Sequence, residues 1–474
     1  MSSVINTNVS SLIAQRSLQK NNAALNTSLE RLSTGLKINS GADDPAGLIA
    51  SEALKAEQTG ISTAINNANL ATNVVGTAEG GLNEVSNLLN QLGGLVNQSA
   101  NTGALSSDEI NANQLQVDSI LNTVNRIANS TSFQGKNLLD GSLGYTLSAA
   151  GTSAFTAISV NSANLPGNKA EAVVVQVTNS ATLGHVTYTG AGNTSATGAS
   201  AVTLQIAGNT GTQQLSFAGS TKLSAVAAAI NNVTGETGVT ASASGDKLTF
   251  AGKQYGSSQF VSVSSISGAF NVTGGTSGKA YGTDAKVLVN GATATVQGTN
   301  VTYRDSNLDL NLTLSSALNG GKTKSFGITG GGATFSLGAV VNDTLKASIG
   351  IQSVSTSSLG DSANGYLSSL STGGANQLTS KSLAGAQTIV NEAINQVSTL
   401  RGRIGAFQSL TLGSTVNSLS VAYENITAAN SSITNTDFAA ETANLTRYQI
   451  LSQAATTVLS QANTAPQNVL KLLG

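Results

Sequence analysis

Cysteine is absent from this chain of 474 residues, tryptophan is absent, and histidine occurs once. The first absence excludes disulfides, thiolate metal sites and a cysteine nucleophile. A lone histidine without cysteine leaves no donor set for a transition-metal cage. Charged residues make up 9% and aromatics 4% of the chain, and proline occurs only 3 times. Disordered chains carry more charge and more proline than this. With a net charge of −1, no bulk field attracts nucleic acid or anionic lipid. No apolar run approaches membrane-spanning length, so neither nucleic acid nor a membrane is expected as a partner. The first residues, Met1 to Asn8, lack a basic segment followed by an apolar one and do not read as a Sec signal peptide. A chain of this kind working outside the cell needs a route without a cleaved signal. Glycine is abundant, at 51, among many Ser, Thr, Asn and Ala. The balance suits a secreted structural protein with a polar, weakly charged surface.

Residues 1 to about 130 and about 381 to 474 read as helix, and the middle reads as strands and loops. Apolar residues step by three and four at the N-terminal end: Leu18, Leu25, Leu29, Leu32, Leu36; Ile61, Ile65, Ala68, Thr72, Val75; Val85, Leu89, Leu92, Val96; Val117, Ile120, Val124, Ile127. The C-terminal end repeats the rhythm with Ala393, Val397, Leu400, Ile404, Phe407, then Leu412, Val416, Leu419, Tyr423, Ile426, Ile433, and last Leu451, Ala455, Val458, Ala462. Asn430 interrupts the second run. Such stripes are narrow and demand a helical partner. The only other stripes lie at the opposite end of the chain, so the two ends are expected to pair as a coiled-coil-like bundle. Some stripes, the outermost above all, can equally find their partners in neighbouring subunits. Asp44 is placed as an N-cap with Pro45 in the first helical turn. Ser106 to Glu109 opens another helix, and Pro466 is expected to interrupt or end the last one.

In the middle, Leu308, Leu310, Leu312 and Leu314 alternate with polar residues, as do Val202, Leu204 and Ile206, which marks half-buried strands. Leu248 with Phe250 and Val261 with Val263 look like two more. Asn290-Gly291 is a hairpin turn by composition. Lys222 to Ile230 reads as a short helix, and 189–201 and 264–283 as loops. The fold class is therefore multidomain α + β: a bundle of terminal helices with one or two β-rich subdomains inserted.

No catalytic, cofactor or metal site emerges. His185 cannot form a zinc-binding pair alone and reads as a surface or strand residue. Gly330-Gly331-Gly332 lacks the Lys and Ser/Thr of a phosphate loop and reads as a turn. Carboxylates are scattered, with no acid–base pair. No cofactor is expected, and the chain is not expected to be an enzyme.

The termini carry a more specific signal. Residues 3–51, SVINTNVSSLIAQRSLQKNNAALNTSLERLSTGLKINSGADDPAGLIAS, resemble the N-terminal signature of bacterial flagellins, continued by TAEGGLNEVSNLLNQL and TSFQGKNLLDG. The stretch TDFAAETANLTRYQILSQAATTVLSQANTAPQNVLKLLG is similar to the flagellin C-terminus. In the middle, LSFAGSTKLSAVAAAINNVTGETGVTASASGDKLTF resembles a strand–helix–strand module inserted in flagellins and hook-associated proteins.

The resemblance implies a subunit of the flagellar filament, exported unfolded through the flagellar type III apparatus and polymerising with itself. Residues 1–44 and 434–474 would form inner-tube helices, disordered in the free subunit. Residues 45–142 and 381–433 would form an outer-tube bundle with a β-hairpin, and 143–380 an exposed variable region. Implied partners are other copies of the chain, an export chaperone at the C-terminal helix, and the hook-associated junction and cap proteins.

Assembly contacts are assigned to Leu25, Leu29, Leu32, Leu36, Ile450, Leu451, Val458, Leu459, Val469 and Leu470. Each also reads as ordinary bundle packing. Asp43 and Asp44 read as caps, against a family alternative in which they join a spoke between the tubes. An arginine through which the animal Toll-like receptor detects many flagellins falls here on Gln91. A following charged pair falls on Gly93 and Gly94, and a contact acid near Gln116, so weak receptor binding is expected. Rival readings are a hook–filament junction protein, which INTN at the start and QNVLKLL at the end disfavour, and a secreted β-rich adhesin.

Overall fold

The computed structural model describes residues 7–101, 103–148, 154–165, 169–190, 197–305, 307–316, 318, 321–362, 364–379 and 383–473, with the backbone alone for 465–473. The helices are α1 (Val9–Thr34), α2 (Pro45–Ser99), α3 (Ser107–Ser130), α4 (Leu223–Asn232), α5 (Thr234–Thr237), α6 (Leu383–Ala406), α7 (Ser414–Thr434) and α8 (Phe438–Leu473). A π-helical segment, Phe407–Gly413, lies between α6 and α7. The chain divides into two compact units. One comprises Met1–Asn69, Leu337–Val341 and Leu412–Gly474, the other Leu70–Ser336 and Asn342–Thr411.

The second unit contains three cores. The first is helical, built from α2 beyond Leu70, α3 and α6. The α2 stripe runs Ala71, Val75, Ala78, Leu82, Val85, Leu89, Leu92 and Val96, each at most 1% exposed. Steps of three and four hold throughout, but the seam takes Ala71 where periodicity pointed to Thr72. The same shift within the first unit puts Ala64, not Ile65, beside Ile61 and Ala68. Alanine at these positions lets backbones approach where a branched side chain would hold them apart. In α3 the buried positions are Val117, Leu121, Val124 and Ala128, while Ile120 and Ile127 pack at the margin. Ala393, Val397, Leu400 and Ile404 are buried in α6 as the spacing indicates.

Ser106 opens α3 with a capping box shared with Glu109. After α3, Ser132–Phe133 pairs with Lys136–Asn137 across Gln134 and Gly135, both at positive φ. The hairpin delivers Leu138 and Leu139 into the core. It packs so closely on α2 that a Cβ at Gly81 would lie 2.8 Å from Leu139 Cδ1 and from Thr131 Oγ1. Ile351, Val354, Leu359, Leu367, Leu370 and Leu378 join the same core. Asp118 accepts from Thr372 N and Oγ1 at 2.9 and 2.6 Å. Gln114 donates to Leu370 O and accepts from Leu378 N.

The second core lies between a five-stranded and a four-stranded antiparallel sheet. One sheet contributes Val173, Val175, Val177 and Phe326, the other Leu308, Leu310, Leu312 and Leu314. Phe155 meets Phe326 edge-on at 5.7 Å. Asn290 and Gly291, at φ 50° and 84°, make the expected hairpin turn between Lys286–Val289 and Ala292–Thr293. The chain then changes sheet, since Thr295–Gln297 pairs instead with Asn300–Arg304.

The third core is inserted between strands Glu171–Asn179 and Lys286–Val289. Two four-stranded sheets and α4 share it through Leu204, Ile206, Leu223, Val226, Ile230, Leu248, Phe250 and Val261. Two expectations need correction. The stretch 264–283 is not loop throughout, because Phe260–Ser267, Val272–Thr273 and Lys279–Tyr281 are strands. The first runs into a serine-rich end and the other two are only two and three residues long, too short to show an alternating pattern. Pro466 does not end α8, which runs on to Leu473. His185 is an exposed strand residue, as read.

Candidate assembly surface

The first unit is built from the two ends of the chain. Asn8 caps α1, its Oδ1 accepting from Ser11 N at 3.0 Å. Gly35, left-handed at φ 74°, closes that helix by donating to Arg31 O. The two connectors then pair. Lys37 N donates to Thr434 O at 2.6 Å, and Thr436 N to Gly35 O at 3.0 Å. Asp43 Oδ2 gathers Asn39 N, Ser40 N and Ser40 Oγ at 2.8 to 3.2 Å. Those hydrogen bonds, the Ser40 amide's first, hold its carboxyl below the usual range despite slight burial. Asp44 Oδ1 accepts from Gly47 N at 2.9 Å and caps α2. Asp437 caps α8 through Ala439 N and Ala440 N. Asp44 is thus a helix cap, whereas Asp43 ties down the connector before it.

The helices pair across the chain. Ser51 Oγ donates to Asn430 Oδ1 at 2.8 Å, so the polar break in the α7 stripe meets a buried hydroxyl of α2. Between α1 and α8, Ser452 Oγ donates to Asn22 Oδ1 and Ser11 Oγ to Asn463 Oδ1, both at 2.7 Å. Arg31 stands 3.9 Å from Glu441, which is only 8% exposed.

Among the described side chains, those fully buried on α1 and α8 are small or polar, Ser11, Ala14 and Ser28 on one helix and Glu441 and Ala455 on the other, with Leu18, Leu25, Leu32, Leu445, Tyr448 and Leu459 half-buried beside them. What they leave in water is large and apolar. Val9, Leu12, Ile13, Leu29 and Leu36 are exposed on α1 and just after it, and Phe438, Ile450, Leu451 and Val458 on α8. The pair buries its leucines only in part, and exposed apolar side chains in this number mark a surface that another molecule covers.

Of the residues singled out from sequence, Leu29, Leu36, Ile450, Leu451 and Val458 lie on this exposed face, while Leu25, Leu32 and Leu459 are half-buried. The side chains of Val469 and Leu470 lie outside the described residues. Val9, Leu12, Ile13 and Phe438 were missed. The apolar spacing of the first three, at i, i+3 and i+4, was the available signal. In the other unit, Gln91, Gly94 and Gln116 are exposed, whereas Gly93 is buried beside Val390. Among the described residues no group of three or more His, Cys, Asp or Glu is placed to hold a metal. Among the described residues no helix is long and apolar enough to cross a membrane.

Helices from both chain ends, paired with each other and carrying exposed bulky apolar side chains, fit the class of structural subunits. Comparison with known proteins gives the family. The bacterial flagellin N-terminal helical region matches residues 5–143, its C-terminal helical region 387–473, and the flagellin hook IN motif 203–254. The last spans strands and α4 of the third core. A flagellin of Salmonella rubislaw is 32% identical over the whole of both chains, and one of Salmonella typhimurium 31%. Polar flagellin F of Vibrio parahaemolyticus is 29% identical, again over both whole chains. A solved structure of FliC from Burkholderia pseudomallei is similar at 19% identity and a TM-score of 0.25, over 72% of this chain and 99% of that one. The chain belongs to the bacterial flagellin family and is a subunit of the flagellar filament.

Proposed function

We propose that the exposed apolar face of α1 and α8 is the principal adhesive of the filament, with Leu29, Leu36, Ile450, Leu451 and Val458 buried by neighbouring subunits. Leu25, Leu32 and Leu459 brace the pair from within, and Val469 and Leu470 extend the same contact. One observation carries the reading: the large apolar side chains that α1 and α8 leave exposed on their outer side. A seam that fully buries only Ser11, Ala14, Ser28, Glu441 and Ala455, and its leucines in part, leaves much apolar area uncovered, so the pair gains less on its own than in an assembly. Residues 1–44 and 434–474 accordingly fold on docking and form the inner tube, 45–142 and 381–433 the outer tube, and 143–380 the exposed variable region. Ordering on docking costs free energy at the moment of binding, which slows nucleation and favours growth on a preformed end. Head-to-tail contacts of this kind do not close and so build an open filament.

Export by the flagellar type III apparatus, a chaperone on the C-terminal helix, and contact with junction and cap proteins at the filament ends complete the reading. The role is structural, without catalysis or cofactor. Gln91, Gly93, Gly94 and Gln116 stand where other members carry receptor-binding charge, so binding to the Toll-like receptor is weak.

Seeded polymerisation tests the assignment. Heat-dissociated protein, cooled and mixed with short filament fragments, is expected to extend them with a gain of far-UV helical ellipticity. Monomers that keep full helix content and never extend a seed would contradict it and favour a junction protein or an adhesin.

A further inference from the structure

Pro466 stands inside α8, four residues beyond Ala462. A proline has no N–H, so the carbonyl four residues earlier loses its helical donor. The orphan is therefore Ala462 O. Asn8 Nδ2 donates to this atom at 2.8 Å, from the opposite end of the chain. The other atom of the same amide, Asn8 Oδ1, accepts from Ser11 N and caps α1. One residue on, Ser11 Oγ holds Asn463 Oδ1 at 2.7 Å.

We propose that Asn8 supplies the hydrogen that Pro466 removes, so that α8 is continued past residue 462 only when the first turn of α1 lies against it. The proline then has a purpose in the helix. By itself the segment beyond Ala462 propagates poorly, because a helix interrupted at proline loses both a bond and its geometry. Docking of the N-terminal turn restores the missing bond and caps its own helix with the same side chain. The start of α1 thus completes the end of α8, which is not complete alone.

An N-cap role alone does not explain asparagine. Aspartate and serine cap as well as asparagine does, but a carboxylate has no hydrogen to offer a carbonyl. That difference makes the test. Four full-length chains are compared: native, Asn8→Asp, Pro466→Ala, and the double variant. Critical concentration in seeded growth and the helical ellipticity of the product are measured.

Aspartate keeps the cap and adds a charge favourable at a helix N-terminus, so a penalty from it cannot come from capping. With Pro466 present, Asn8→Asp is expected to raise the critical concentration about two- to tenfold, the range of one hydrogen bond, and to reduce ellipticity. In the Pro466→Ala background, where the residue at that position supplies its own N–H, the same change is expected to have a clearly smaller effect, limited to the repulsion between the carboxylate and the Ala462 carbonyl. Equal penalties in both backgrounds, or none in the native one, would overturn the proposal. If Asn8→Asp abolishes growth altogether, restoration by Pro466→Ala supports the proposal and failure to restore rejects it. Should the native chain itself fail to extend seeds, the assembly reading falls separately. The thermal midpoint of helical ellipticity in the four chains then decides by the same pattern.

Discussion

Replacing Ile450 by serine separates folding of the subunit from adhesion between subunits. Ile450 is 65% exposed within the chain and belongs to none of its buried cores. Full burial of an isoleucine side chain is worth about 1.5–3 kcal/mol. About two thirds of that is still available to a neighbour, or about 1–2 kcal/mol per subunit. Since about 1.4 kcal/mol is a factor of ten in an equilibrium constant, the critical concentration for filament growth is expected to rise about 5- to 30-fold. The thermal midpoint of the unassembled chain is expected to stay where it was. Gln453→Ser, also exposed on α8, is the matched control and is expected to leave growth unchanged. Sedimentation of filaments at graded protein concentration gives the number, and differential scanning calorimetry the midpoint. A critical concentration equal to the native one would mean that Ile450 stays wet in the filament, and the assignment of this face would fail.

Gly94→Ala places a methyl where no atom lies within 4 Å, and Gly93→Ala one at 3.6 Å from Val390 Cγ1. Each is expected to stabilise the bundle by about 1 kcal/mol, read by calorimetry, whereas Gly81→Ala, with no room for a Cβ, is expected to lower the midpoint. Burial raises the pKa of Asp118, but hydrogen bonds from Thr372 and Gln114 outweigh it and leave the carboxyl lowered. Its contribution is therefore present above the ordinary carboxylate range and lost as pH falls through the depressed value. Asp118→Asn is expected to lower the midpoint at neutral pH and to flatten its fall in acid; parallel curves for both chains would assign the acid sensitivity elsewhere. A Toll-like receptor reporter is expected to respond weakly to this protein, and Gln91→Arg to strengthen the response. A native response equal to that of a typical enteric flagellin would remove Gln91 from the argument.

The helical ends were legible because apolar steps of three and four survive in α2, α3, α6 and α7, and the alternation of Leu308 to Leu314 marked its strand without ambiguity. Periodicity was less able to choose between adjacent positions. Ile65 and Thr72 looked the better seam residues, yet close helix approach selects Ala64 and Ala71. In the serine-rich stretch Ser264 to Ser267 the single apolar residue, Ile266, is exposed and makes no alternating pattern. For the assembly surface, spacing identified a stripe on α8 but not which stripe faces inward. Ser11 and Ala14 are as periodic as Leu12 and Val9, and only the partner helix decides between them. Pro466 misled because a local rule was applied where a residue from the far end of the chain, Asn8, supplies what the rule says is missing.

A face completed by a neighbour makes each of its side chains a property of two chains. One altered subunit among normal ones spoils contacts on both sides of itself, so a minority of altered chains harms a larger share of the joints. In genetic terms, lesions at Ile450 or Val458 act dominantly in a mixed population, because the altered chain still folds and is still incorporated. Lesions at Val85 or Leu89, both fully buried in the bundle, behave as recessive. A chain that cannot fold its bundle never takes a place in the filament, and leaves the others intact.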